Sequence, residues 1–233
     1  LIAKKITNNK APYNLVKKMR ASILVLGPLL ARTGKAIVSM PGGCSIGSRP
    51  VDIHLKSLEK LGAKIFIEKG YIYAEALNGL KGNKIVFPKI SVGATVNILM
   101  AATLAEGITE IYNAAKEPEI VDLGNCLISM GAKIKGLGTN KIIVEGVTNL
   151  KETNHKIMFD RIEAGTYMIA SALTEGNIKI INIIPKIIKT EIDILKKAGA
   201  IIKIKNNEIR ILGKKKINNI KIITAPYPGF PTD

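Results

Sequence analysis

Tryptophan is absent from the 233 residues, and four phenylalanines with six tyrosines bring aromatics to only 4%. A platform that stacks single-stranded bases needs more rings than that. Cysteine is equally scarce. Cys44 and Cys126 are too few to frame a disulfide scaffold, and no metal-ligand spacing accompanies them. No apolar run approaches the ~18 residues of a membrane-crossing helix. The most apolar stretch, 21–37, is broken by Gly27, Pro28, Arg32 and Lys35. No secretory leader is legible, so a reducing cytoplasm is the expected setting. Acidic residues are also in short supply, 18 against 35 lysines and arginines, for a formal charge of +17. Such a balance fits a nucleic acid, a membrane surface or anionic small molecules. The lysines are dispersed, and their densest run, Lys214-Lys215-Lys216, reads as a turn between strands. Solvated faces account for them, and no nucleic-acid or membrane partner is expected. The chain opens on Leu1 rather than Met and stops at Asp233 directly after Pro231-Thr232. Both ends read as cut, which makes an internal piece of a longer protein the expectation.

What is present is a repeat. Leu58 to Ile65, Leu127 to Ile134 and Leu195 to Ile202 resemble one another, each with a Gly-Ala pair at its centre. Their glycines, Gly62, Gly131 and Gly199, are 69 and 68 residues apart. A second marker runs in phase: Ala102-Thr103-Leu104-Ala105-Glu106-Gly107 and Ser171-Ala172-Leu173-Thr174-Glu175-Gly176, again 69 apart. This period exceeds that of most solenoids and predicts a few copies of one α/β unit. At 47% hydrophobic residues, the chain can fill one large core or two smaller ones. Periodicity and Gly punctuation place helices over Leu15–Leu30, Val51–Leu61, Ala94–Ala105, Glu119–Met130, Ala164–Leu173 and Thr190–Lys197. Strands are placed over Ala36–Met40, Lys64–Glu68, Tyr71–Glu75, Thr109–Tyr112, Lys133–Lys135, Lys141–Glu145, Ile178–Asn182, Ile201–Lys205 and Glu208–Leu212. The Ala94–Ala105 helix is apolar nearly all round and is expected to be buried. The polar stretch Lys151-Glu152-Thr153-Asn154-His155 reads as a domain junction.

The most distinctive segment is Pro41-Gly42-Gly43-Cys44-Ser45-Ile46-Gly47-Ser48-Arg49-Pro50-Val51-Asp52. Three glycines in six residues let a backbone bend tightly and approach a ligand. Pro50 suits entry into the following helix, whose free amides favour an anion, as does the forked guanidinium of Arg49. Cys44 sits among these positive features, which ease thiolate formation. Further along, Lys89-Ile90-Ser91-Val92-Gly93 opens a helix, with Ser91 as N-cap.

Pro41 through Asp52 resembles the signature loop of the UDP-N-acetylglucosamine enolpyruvyl transferases, and matches to that family extend over essentially the whole chain. The resemblance implies an α/β fold, an inside-out α/β barrel of repeated βαβαββ units with about three of six units present. It implies residues 1–158 as most of a first domain and 159–233 as the first unit of a second. The implied reaction moves the enolpyruvyl group of phosphoenolpyruvate to the 3-hydroxyl of UDP-N-acetylglucosamine, the first committed step of peptidoglycan synthesis. It needs neither metal nor organic cofactor. Cys44 would protonate the methylene carbon of phosphoenolpyruvate and is the residue fosfomycin alkylates in that family. Arg49 would hold phosphoenolpyruvate. Arg20, within Ala11 to Ser22, would be a substrate-site arginine. Arg49, Pro50, Val51, Asp52 and Ile53 would bind the nucleotide, with Ile53 where the family often has Leu. Lys89, Ile90, Ser91, Val92 and Gly93 would contact the nucleotide sugar. Asp233, at the end of Ala225 to Asp233, would be the general base at the sugar hydroxyl. The stretches 117–122 and 160–166 would lie near the family's interdomain cleft.

Other readings are weaker. Enolpyruvyl-shikimate-phosphate synthases share the fold and donor but lack the cysteine loop. A basic RNA-binding or RNA-processing module would need its lysines on one face. A non-catalytic paralogue would not need Cys44, Arg49 and Asp233 intact. Cys126, in an apolar helix, reads as core. His54 and His155 have no Ser or Cys partner pattern and are not read as catalytic.

Overall fold

The repeat seen in the sequence is a repeat of structural units. The computed structural model describes residues 5–41 and 51–232. The first unit runs β1 (Lys10–Ala11), α1 (Tyr13–Val16), a 3-10 turn (Arg20–Val25), α2 (Leu26–Thr33), β2 (Lys35–Ser39), α3 (Asp52–Lys60), β3 (Lys64–Glu68) and β4 (Tyr71–Glu75). The second runs β5 (Lys84–Val86), α4 (Val92–Ala102), β6 (Ile108–Tyr112), α5 (Pro118–Ser129), β7 (Lys133–Lys135) and β8 (Lys141–Glu145). The third runs α6 (Arg161–Leu173), β9 (Asn177–Ile181), a 3-10 turn (Pro185–Ile188), α7 (Lys189–Lys197), β10 (Ile201–Lys205) and β11 (Glu208–Leu212).

The first two units build the same sheet, ordered β1-β2-β4-β3 and β5-β6-β8-β7. In each, the first pair is parallel and the other two are antiparallel. The third sheet, among the described residues, has three antiparallel strands ordered β10-β11-β9. Six hairpin strands, β3, β4, β7, β8, β10 and β11, occupy the residues read from the sequence, because short alternating runs bounded by turn residues leave little room for slippage. Gly62, Gly131 and Gly199 all follow the second helix of their unit and sit at φ 93°, 100° and 103°. That left-handed conformation reverses the chain into the next strand, and glycine adopts it without steric penalty.

The chain divides into two compact units, Leu1–His155 and Lys156–Asp233. The core of the larger one surrounds α4, where Ala94, Ile98, Leu99, Ala101 and Ala102 have no exposed surface. The smaller one is built on Met168, Ile188, Ile209 and Ile211.

One helix reads differently from its pattern. The expected Leu15–Leu30 helix is broken into α1, the 3-10 turn and α2. Pro28 lies in the first turn of α2. Its ring nitrogen donates no bond back to residue 24 and its ring crowds that carbonyl, so an α-helix cannot run through it from upstream. Lys214-Lys215-Lys216 is exposed and follows β11, but no named strand follows it among the described residues.

A second recurring contact crosses all three units. Ala76 N donates to Gly34 O at 2.8 Å, Gly146 N to Gly107 O at 2.9 Å, and Gly213 N to Gly176 O at 2.9 Å. At Gly146 the approach is closest: a Cβ there would lie 1.6 Å from the Ala105 carbonyl oxygen. Gly146→Ala is therefore expected to lower stability by about 1–3 kcal/mol, the usual range for forcing atoms into a filled space. Urea unfolding measures it, and an unchanged midpoint would contradict the packing described.

Candidate functional site

The first turn of α4 is the natural starting point. Ser91 has extended backbone and its Oγ accepts the Ala94 N–H at 3.3 Å, capping the helix as its sequence position predicted. The amides of Val92 and Gly93 belong to the first turn, where no intrahelical bond is available to them, at the positive end of an eleven-residue helix. Two neighbours bring further helix starts to the same place. Thr95 Oγ1 accepts the Ala115 N–H at 3.0 Å, which ties α4 to the residues leading into α5. His54, in the first turn of α3, lies against Gly93: a Cβ there would sit 3.1 Å from His54 Cε1 and 3.2 Å from Nε2. Any larger residue at position 93 would press the imidazole back by a few tenths of an ångström.

Asn97, in the second turn of α4, fixes that arrangement. It has no exposed surface, and its amide has three partners. Oδ1 accepts the Gly27 N–H at 2.7 Å, Nδ2 donates to Ile23 O at 3.2 Å, and Nδ2 lies 3.1 Å from His54 Nδ1. The orientation follows from chemistry. A backbone N–H only donates, so the atom near Gly27 is the oxygen; a carbonyl only accepts, so the atom near Ile23 is the nitrogen. His54 Nδ1 must then accept, and the ring proton sits on Nε2. His54 is 6% exposed. Burial, with the positive charge of Arg20 nearby, lowers its pKa from 6.5 to about 4, while Asp52 pulls weakly the other way. The ring is neutral at ordinary pH.

Arg20 begins the 3-10 turn and is half-buried, close enough to His54 to act on its titration. Asp52 is exposed and 4.0 Å from Lys56 Nζ across one helical turn. Val51 and Ile53 are buried in the core, so any ligand contact they make must come from the backbone. Lys89 and Ile90 are exposed two and one residues before the cap, and Val92 is exposed on the first turn. Arg20, Asp52, Ser91 and Gly93 thus belong to one neighbourhood. Cys44, Arg49, Pro50 and Asp233 lie outside the described residues.

In the smaller unit, Asp160 caps α6, its Oδ1 accepting the N–H groups of Ile162 at 2.8 Å and Glu163 at 3.0 Å. The segment leading to residue 233 is held at several points. Arg161 lies 5.4 Å over the Tyr227 ring, Thr190 Oγ1 donates to Pro228 O at 2.6 Å, and Ala225 N donates to Phe230 O at 3.0 Å. Beside Arg161, burial pushes the Glu191 carboxyl up, with the guanidinium pulling it down.

Two residues that no sequence motif marks organise this site. His54 has no nucleophile partner pattern, and Asn97 is one polar letter in an apolar helix. That lone buried-position amide was the available signal, since a polar group there needs partners. Cys126, read as core, is half-buried. His155 Nε2 pairs with Asp122 Oδ1 at 3.1 Å.

The family profile described as EPSP synthase (3-phosphoshikimate 1-carboxyvinyltransferase) matches residues 1–233. The UDP-N-acetylglucosamine 1-carboxyvinyltransferase of Pelagibacter ubique is 62% identical over 229 residues, 98% of this chain and 55% of that protein. Its counterpart in Xanthobacter autotrophicus is 54% identical over 232 residues, 99% of this chain and 54% of that protein. The chain spans about half the length of the curated relatives it matches. Among solved structures, the enolpyruvyl transferase NikO from Streptomyces tendae superposes with a TM-score of 0.80 at 20% identity, over 97% of this chain and 54% of that one. An EPSP synthase from Acinetobacter baumannii gives 0.58 at 28% identity, over 88% of this chain and 48% of that one. The repeated α/β units are those of the enolpyruvyl transferase fold.

Proposed function

From the premise that the chain belongs to the EPSP synthase family, we propose that it is part of a cytoplasmic enzyme transferring the enolpyruvyl group of phosphoenolpyruvate to the 3-hydroxyl of UDP-N-acetylglucosamine. Phosphate leaves, and the product enters peptidoglycan synthesis. The observation that carries this reading is the 62% identity, across nearly the whole chain, to a relative named for that reaction. The anion-binding character of the α4 start supports it, since both reactants are polyanions.

In this reading the Val92 and Gly93 amides, Ser91, Lys89 and Arg20 hold the nucleotide sugar, with the backbone at 51–53 and Asp52 on its nucleoside. Arg49 holds phosphoenolpyruvate. Cys44 gives its proton to the methylene carbon while Asp233 takes the proton of the 3-hydroxyl. The oxygen bonds to C2 of phosphoenolpyruvate, forming a tetrahedral ketal. Elimination then removes a proton from the new methyl group, restores the double bond and expels phosphate. Proton movement at both ends requires each group within hydrogen-bond reach of its target. We take the division at His155 as the boundary between the enzyme's two domains. We also propose that the 233 residues alone do not turn over, because further phosphoenolpyruvate-holding groups belong to the rest of the enzyme.

The test is an assay of the complete protein with phosphoenolpyruvate and either UDP-N-acetylglucosamine or shikimate 3-phosphate. Phosphate release is expected with the nucleotide sugar alone, and release with shikimate 3-phosphate would overturn the assignment. After fosfomycin treatment, mass spectrometry should find one adduct, on Cys44, that Cys44→Ala abolishes. The isolated chain is expected to release no phosphate, and measurable release would refute that part.

A further inference from the structure

We infer that Arg161 and Thr190 are positioning residues for the proposed base: from the first turns of α6 and α7 they clamp the strap at 224–231 that leads to residue 233. The inference rests on the reading above for Asp233 taking the proton of the sugar hydroxyl. Three observations carry it. First, the strap has no core of its own. The apolar cluster of the smaller unit reaches no further along the chain than Ile211, and Ile223, just before the strap, is 76% exposed. Among the described residues, then, apolar burial does not place 224–231. Second, the anchors come from the starts of two helices. The Arg161 guanidinium lies 5.4 Å from the centre of the Tyr227 ring, within cation–π range, and Thr190 Oγ1 donates to the next carbonyl, Pro228 O, at 2.6 Å. Arg161 is itself buried and follows Asp160, whose carboxylate caps α6 and fixes that helix start. Third, the strap is closed on itself. Ala225 N donates to Phe230 O at 3.0 Å and Gly229 N to Pro226 O at 2.8 Å, and a Cβ on Gly229 would lie 2.6 Å from Ala225 Cβ. It therefore moves as one piece, and whatever seats Tyr227 and Pro228 also seats the residues that follow.

The arrangement has a chemical logic. A general base works only within hydrogen-bond reach of the proton it removes. A misplacement of about 1 Å can cost about a hundredfold in rate. A carboxylate at the end of an unclamped strap would sample many positions, and two anchors just upstream of it remove that freedom before substrate arrives. The planar guanidinium suits the task, since it stacks on a ring face and stays charged at every working pH. Arg161 has a second neighbour. Glu191 is buried beside it, its carboxyl pushed up by burial and pulled down by the guanidinium. An Arg161 that served Glu191 alone would affect stability without a specific effect on turnover, and the experiment separates the two roles.

The experiment uses the complete enzyme with phosphoenolpyruvate and UDP-N-acetylglucosamine. Arg161→Met and Thr190→Val should each lower kcat by about tenfold or more, with both KM values within about threefold. Tyr227→Phe, which keeps the ring, should stay within about threefold of wild type, whereas Tyr227→Leu should fall with Arg161→Met. Unchanged kcat in Arg161→Met and Thr190→Val, or a loss confined to KM, overturns the inference. The deciding measurement is a double-mutant cycle. With Asp233→Ala in place, adding Arg161→Met should cost no more than about twofold further, because the group it places is already gone. A full further loss means that Arg161 acts elsewhere and overturns the positioning role. Thermal unfolding follows each variant. Glu191→Gln removes the carboxyl that faces Arg161, so Arg161→Met with Glu191→Gln should regain stability while kcat stays low; recovery of both would leave Arg161 serving Glu191 only and overturn the inference. Near-wild-type turnover in Asp233→Ala would remove the proposed base and this inference together. An impaired Asp233→Ala with additive losses sinks the clamp alone and leaves the proposed function standing.

Discussion

Asn97→Leu is expected to destabilise the first compact unit by about 4 kcal/mol, because three buried groups lose their partner at once. The Gly27 N–H, the Ile23 carbonyl and His54 Nδ1 all converge on this amide. Each buried polar group left unpaired costs roughly 1–3 kcal/mol, and leucine matches the branching of asparagine but is bulkier, so crowding adds to the loss and no cavity forms. A local adjustment or a flip of the histidine tautomer recovers only part of it. The effect should be larger than for ordinary substitutions, which centre near 1 kcal/mol. Gly27 shows how closely the parts fit: a Cβ there would lie 2.3 Å from Asn97 Oδ1 and 2.5 Å from its carbonyl oxygen. The control is Asn125→Leu on the exposed side of α5, expected within about 0.5 kcal/mol of wild type. Urea unfolding at pH 7.5 measures both. A loss below about 1 kcal/mol for Asn97→Leu would mean that α2, α3 and α4 are held together by apolar packing alone.

The second large effect is a dependence on pH. The folded chain lowers the His54 pKa from 6.5 to about 4. Between these values the unfolded chain binds a proton that the folded chain refuses, so stability falls as pH falls. Above 6.5 neither state is protonated and this contribution is constant. A tenfold change in proton affinity corresponds to about 1.4 kcal/mol, so the loss attributable to His54 between pH 6.5 and pH 4 is about 3 kcal/mol. Other groups titrate in the same region. Hydrogen bonding from Lys141 lowers the Glu110 pKa, which adds a small loss of the same sign below the ordinary carboxylate range. Burial raises the Glu191 pKa, which acts with opposite sign, its contribution lost as pH rises through the folded value. The informative quantity is therefore the difference between wild type and His54→Gln, measured by denaturant unfolding at half-unit steps. That difference should shift by about 3 kcal/mol across the interval. A flat difference would mean that the ring is not desolvated as described.

Much of the fold follows from local rules. The three Gly-Ala markers lie where a chain leaves a helix in the left-handed region, so their spacing gave the unit length directly. The hairpin strands follow from alternation and turn residues, and the nearly all-apolar pattern of 94–105 correctly foretold the central, buried helix. The segment 15–30 did not read correctly. Its apolar spacing is helical, but Pro28 vetoes continuity, and a single ring outweighed the periodicity of a whole window. Ser91 was legible as a cap because its role is satisfied within four residues.

The site divides along the same line. Sequence alone determined the family-like loop at 41–52, the anion-favouring start of α4 and the residue types available there, since these are properties of short segments. Only tertiary structure decided that residues 20, 23, 27, 54, 93 and 97 meet. No local pattern links Asn97 to Gly27 and Ile23, at separations of 70 and 74 residues, or to His54 at 43. A histidine's tautomer and charge depend on the partner that faces it and the water excluded around it, and both arise only when the helices pack.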